Sequence, residues 1–194
     1  GDFDTRSMLA RIRELFEPIP AGPVPPRLAR PEPPQRGEIR LTVEGPGETA
    51  YLQIGYRFPS ASHPDFFPLS VLDSLLAGPS NPNLFGGGIS NKTSRLYRAL
   101  VDKELAVSVS GGSSLTIDPF LYFFTFPVHP ERSPEQVLAA LDAEIERVQT
   151  ELVSRQEIAR AIKQARAIFA YGSENITNQA FEVPIDLTEI QPGL

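Results

Sequence analysis

Residues 84–110 read LFGGGISNKTSRLYRALVDKELAVSVS, and the succession of residue types in this stretch decides the fold. Gly86, Gly87 and Gly88 break an apolar run, and triple glycine permits positive φ and close backbone approach. Leu96, Leu100 and Val101 then fall on one side of a short helix over 94–101. Over residues 105–109 the larger Leu105, Val107 and Val109 alternate with the small Ala106 and Ser108, the pattern expected of a strand. Loop, helix and strand form one unit, and neighbouring elements must supply the rest of its core.

Downstream, Gly111-Gly112-Ser113-Ser114 predicts a turn, and residues 120–128 predict a second strand. Its Phe120, Tyr122, Phe124 and Phe126 share one face, which reads as core rather than as a ligand pocket. Upstream, two strands are expected over 39–43 and 49–58 around Glu44-Gly45-Pro46-Gly47. A helix over 64–76 opens with Pro64 and Asp65, and turns Phe67, Val71, Leu72, Leu75 and Leu76 inward. A loop rich in glycine, proline and asparagine follows over 78–83.

Two further helices close the unit, both opened by a capping box, Ser133 with Gln136 and Ser154 with Glu157. The first is expected to bury Val137, Leu138, Leu141, Ile145 and Val148. The second is expected to bury Ile158, Ala161, Ile162, Ala165 and Phe169. The fold class is therefore α+β, an antiparallel sheet with helices packed on one face.

The N-terminal part reads differently. Asp4 suits the N-cap of a helix carrying Met8, Leu9, Ile12, Leu15 and Phe16, and Pro18 and Pro20 end it. Eight prolines between 17 and 37, with few apolar neighbours, describe an extended linker.

Composition excludes several classes of function. A net charge of −6 and no basic stripe argue against nucleic acid. No apolar run approaches the roughly 18–20 residues that span a bilayer. The start, GDFDTRSM, is acidic where a secretory leader is basic. The compartment stays open between periplasm and cytoplasm. With no cysteine, thiolate metal sites are excluded, and zinc needs about three converging ligands. His63 and His129 are far apart, each beside proline, without an acidic or histidine partner at helical spacing. No metal site is expected. Gly88-Ile89-Ser90 lacks the glycine two residues after serine that a nucleophile elbow requires, and no Gly-Lys-Ser/Thr follows the glycines. No catalytic residue emerges. Arg95, Tyr97 and Arg98 supply the polar face of the short helix.

GDFD with the helix ending near FEPIPAGP, the strand AYLQIGYRFPS, the stretch GGGISNKTSRLYRALVDKELAVSVS and the paired late helices together resemble one known family. It is the M16 (pitrilysin/insulinase, mitochondrial processing peptidase-like) zinc peptidases, and the likeness is to their C-terminal-type, inactive domain over about residues 1–181. The resemblance implies residues 1–16 as the last helix of a preceding domain, 17–37 as linker, and 38–194 as an incomplete domain of this type. It also implies a clamshell peptidase that encloses unfolded peptides, with the inverted zinc motif H-x-x-E-H in an N-terminal domain. That motif does not occur here, so no cofactor is expected in this chain and zinc is expected in the partner domain.

Partners implied by the resemblance are a zinc-bearing domain or subunit, an unfolded peptide and, as one arrangement, a dimer. Gly86, Gly87, Gly88, Arg95 and Tyr97 are the substrate-binding candidates. In members whose domain of this type assists catalysis, an arginine after SRLxxxL and a later tyrosine bind the substrate backbone. Those positions fall here on Val101 and Val107, which cannot donate such hydrogen bonds. The expected role is a non-catalytic domain of an M16-type metallopeptidase; the alternative is a scaffold subunit of an M16-like assembly.

Overall fold

A computed structural model describes residues 2–23, 33–78, 92–114 and 116–173, together with 176, 177 and 179. The chain divides into two units, residues 1–45 and 46–194.

In the first unit, Asp4 caps helix α1 (Thr5–Phe16) as its chemistry predicts. Its carboxylate accepts from the Ser7 N–H at 2.8 Å and the Ser7 hydroxyl at 2.6 Å. No residue of α1 is buried. The strand expected over 39–43 does not form. The segment carries no ladder, and Ile39, Leu41 and Val43 are 88%, 84% and 80% exposed. Alternation sets which face a strand would bury, but the backbone becomes a strand only where a neighbour takes its hydrogen bonds.

The second unit is built on a three-stranded antiparallel sheet in the order β1-β3-β2. Strand β1 (Tyr51–Phe58) pairs with β3 (Phe120–Pro127) from Tyr51 opposite Pro127 to Phe58 opposite Phe120. Strand β2 (Ser110–Ser113) lies on the other side of β3, with Gly111 opposite Phe124. Here the structure moves a boundary. The glycines expected to turn are the strand, whereas 105–109 contributes one bridge, Ala106 to Val128. The reason is close packing: a Cβ on Gly111 would collide with the Tyr122 hydroxyl and stand 2.8 Å from the Ala77 Cβ. Only glycine lets the chain pair there.

Helices cover one face of the sheet. Tyr122, Phe124 and Phe126 point into the core, while Phe120, at the open end of β3, is half exposed. The Tyr122 and Phe124 rings meet edge to face at 4.7 Å. Helix α2 (Phe66–Leu76) buries Phe66, Asp73 and Leu76, and Phe67, expected inside, is 74% exposed. The inward stripe thus passes through the first of two adjacent phenylalanines.

A helical turn from Arg95, wound as a π-helix over Tyr97–Val101, plugs Leu96 and Leu100 into the centre, both fully buried. Helix α3 (Pro134–Thr150) buries Val137 and Leu141 beneath its capping box. Helix α4 (Arg155–Ser173) opens with the Ser154 and Glu157 exchange. It buries Ala161, exposes Ile158 and Ile162, both expected inside, and carries Phe169, whose side chain lies outside the described residues.

Between the π-helical turn and the bridge at Ala106, Glu104 adopts φ 55°, in the left-handed region. Its carbonyl accepts from Arg132 Nε at 3.3 Å. A Cβ in this region costs about 1–2 kcal/mol, and glycine returns part of that gain through a freer unfolded chain. Glu104→Gly is therefore expected to raise stability by about 0.5 kcal/mol in urea unfolding, the Arg132 contact being retained because it is to backbone.

Candidate functional site

Of the sequence candidates, Arg95 and Tyr97 fall within the described residues. Gly86, Gly87 and Gly88 lie outside the described residues. Arg95 and Tyr97 sit two residues apart on the same turn and have different hydrogen-bond partners. The Tyr97 N–H donates to the Ser94 hydroxyl at 3.3 Å, and the ring is half-buried. Arg95 reaches across to the start of α4, where its Nε and Nη2 both donate to Glu157 Oε1, at 3.2 and 3.1 Å.

This ion pair joins two elements sixty-two residues apart. Ser154 at the N-cap holds the Glu157 carboxyl below the usual carboxylate range through its hydroxyl, and its backbone N–H and Arg95 add to the effect. The carboxylate thus caps α4 and neutralises Arg95 at once. Arg95 Nη1 is buried with no hydrogen-bond partner among the described residues, so removing the charge opposite it adds to an existing desolvation cost. Glu157→Gln is expected to destabilise the domain by about 1.5 kcal/mol in chemical denaturation at neutral pH. The sign with acid follows from the lowered carboxyl: the contribution is complete above the ordinary glutamate range and is lost as pH falls through the native value.

Arg95 also forms one wall of a cleft of about 420 Å³. Arg98 and Lys103 line it from the same side, and Glu144, Arg147 and Glu151 from the last turns of α3. The lining is charged rather than apolar, which suits a polar ligand better than a hydrophobic one.

The two valines that the resemblance sets against the family's assisting pair lie at the end of the π-helical turn and next to the bridge at Ala106. Val101 closes the π-helical turn. Val107 is 57% exposed and donates its backbone N–H to the Pro127 carbonyl at 2.9 Å. Neither offers a polar side chain to a peptide.

The histidines do not converge. His63 Nδ1 accepts from the Asp65 N–H at 3.2 Å, and His129 Nδ1 from the Glu131 N–H at 3.4 Å, each within its own loop. Among the described residues, no three histidine or carboxylate side chains gather as metal ligands. The residues described do not fit a zinc site. Among them, too, no helix is long and apolar enough to cross a membrane.

A strongly perturbed ionisable group lies elsewhere. Tyr122 donates its hydroxyl to Asp73 Oδ1 inside the core. Burial first, and the Asp73 charge second, push its hydroxyl far above the usual tyrosine range. Tyr122 and Asp73 are both more than nine-tenths buried, so this pair is architectural. Sequence alternation revealed the tyrosine as a core residue but not its partner, because an aspartate on an apolar helix face carries no local signal.

Known structures share this architecture. The chain superposes on a protease from Helicobacter pylori with a TM-score of 0.70 at 18% identity, over 98% of this chain and 44% of that one. It therefore spans less than half the length of that protein. It also matches the inactive peptidase domain of a "putative zinc protease" from Bordetella parapertussis, with a TM-score of 0.60 and 22% identity over 76% and 73% of the two chains. A third likeness is to a "putative zinc protease" from Bordetella pertussis Tohama I, with a TM-score of 0.58 and 24% identity over 73% and 72%. No curated protein matches the sequence. At these identities the structures share the fold, and the sequence itself settles the family. The family model described as the peptidase M16 inactive domain matches residues 1–165, and the chain belongs to that family.

Proposed function

We propose that this domain helps to enclose an extended peptide and to hold a zinc-bearing M16 domain, without contributing a catalytic group. The observation that carries the reading is the pair Val101 and Val107. Peptide hydrolysis needs an activated water and stabilisation of the oxyanion. At the two positions where the family can place assisting donors, this chain presents aliphatic side chains, one of them the last residue of a helical turn. Binding and orientation remain as the contribution such a domain can make. The glycine-rich stretch at Gly86, Gly87 and Gly88 is the proposed contact with peptide backbone, since a chain without Cβ atoms allows close approach.

The test is an assay of unfolded peptides with the chain alone and with the zinc-bearing domain added. Turnover is expected only in the second case. Chelator-sensitive cleavage by the chain alone would overturn the reading. Gly87→Val is expected to weaken peptide capture in the assembled enzyme by about tenfold and to leave its zinc content unchanged. Unchanged capture would remove the glycines from the peptide site.

A further inference from the structure

The cleft beside the end of α3 is unevenly charged. Four cations, Arg95, Arg98, Lys103 and Arg147, line it against three carboxylates, Glu144, Glu151 and Glu157. Two of the cations use all three carboxylates. Arg95 holds Glu157 at 3.1 Å, while Arg147 holds Glu144 at 2.9 Å and Glu151 at 3.7 Å. Arg98 and Lys103 are exposed on the wall of the same cleft, and among the described residues neither has a carboxylate within ion-pair distance. The lining therefore carries one net positive charge, placed on two side chains that nothing within the described domain engages.

We propose that this cleft binds a single carboxylate, held by the Arg98 guanidinium and the Lys103 ammonium. The charge balance selects the ligand. One carboxylate neutralises the cleft, whereas a doubly charged phosphate would face three glutamates and leave it net negative. The planar guanidinium matches the two oxygens of a carboxylate, and the ammonium adds a point charge of the same sign. A volume of about 420 Å³ admits an acidic side chain or a small organic acid. Leu152, fully exposed where α3 passes into α4, gives the methylenes of such a ligand an apolar surface at the rim. The site goes beyond peptide enclosure and does not depend on it, since it uses neither the glycines nor the two valines.

Amide shifts of the full chain at low ionic strength provide the test, with three probes. These are acetate, an end-blocked hexapeptide carrying one aspartate, and the same peptide with asparagine in its place. The aspartate peptide is expected to shift residues 95–103 and 144–154 and to bind about tenfold more tightly than the asparagine peptide. The double variant Arg98→Gln, Lys103→Gln is expected to lose about tenfold in affinity with an unchanged Tm, because both side chains are exposed. Acetate as strong as the aspartate peptide supports the site and identifies a small acid as its ligand; weaker acetate supports it and identifies a peptide. Equal affinity for the two peptides, no shifts with either carboxylate, or undiminished binding by the double variant overturns the proposal. Arg98, within the helical turn, and Lys103, just after it, would then serve only its negative end.

Discussion

Replacing Gly111 with alanine is expected to cost the domain about 3 kcal/mol, the upper part of the range for overpacking a filled core. The added methyl group would run into the Tyr122 hydroxyl and lie 2.8 Å from the Ala77 Cβ and 3.1 Å from Phe124 Cδ1. Two of these neighbours are poorly able to yield. The Tyr122 hydroxyl is tied to Asp73, and the Phe124 ring is 2% exposed and stacked against Phe126 at 5.8 Å. Relief must come from β2 moving away from β3, which breaks a four-residue pairing at the edge of the sheet. A double-mutant cycle with Tyr122→Phe checks the cause. With the hydroxyl gone, the cost of Gly111→Ala is expected to fall by about 1 kcal/mol, and the Ala77 contact keeps it above zero. If the two changes add without interaction in urea unfolding, the collision with the hydroxyl is not what excludes a side chain. Gly55, by contrast, meets Phe123 at 3.4 Å, an ordinary contact, so Gly55→Ala serves as the control.

Features specified within a few residues were legible in the sequence, and features specified by distant neighbours were not. Asp4, Ser133 and Ser154 cap their helices as their side-chain chemistry predicts, since a cap needs only the next turn. The aromatic row on β3 was legible from alternation alone. Gly111 and Gly112 read as a turn because glycine weakens a strand in isolation. Their place in β2 depends on Tyr122 and Ala77, which no local window contains. The rotation of α2, Phe66 in and Phe67 out, turns on a choice between identical neighbours that only the shape of the core makes.

The site divides in the same way. The π-helical turn was legible as a helix bearing Arg95, yet its tie to Glu157 joins residues sixty-two apart. Residues 39–43 show the converse. Their alternation is a strong local signal, but a strand is a pairing, and the pairing did not form.

Tyr122→Phe is expected to destabilise the domain by about 2 kcal/mol at neutral pH and to change how stability responds to base. The loss arises because Asp73, 8% exposed on the inner face of α2, gives up a hydroxyl donor where water cannot replace it. The pH response has a determined sign. In the unfolded chain the tyrosine loses its proton near pH 10, while in the native domain burial and the Asp73 charge keep it protonated far beyond that. Below about pH 10 both states hold the proton and the contribution of the pair is constant. Above it the unfolded state releases a proton that the native state retains, so stability falls by about 1.4 kcal/mol per pH unit. The wild-type unfolding midpoint should therefore drop steeply between about pH 10 and pH 11, and that of Tyr122→Phe should drop less, so the two curves converge. Asp73→Asn separates the two causes: a neutral partner removes the charge repulsion but not the burial, and should leave most of the alkaline slope in place. Parallel curves for wild type and Tyr122→Phe would mean that the hydroxyl ionises in the native state, and the buried pair would have to be redrawn as one that water reaches.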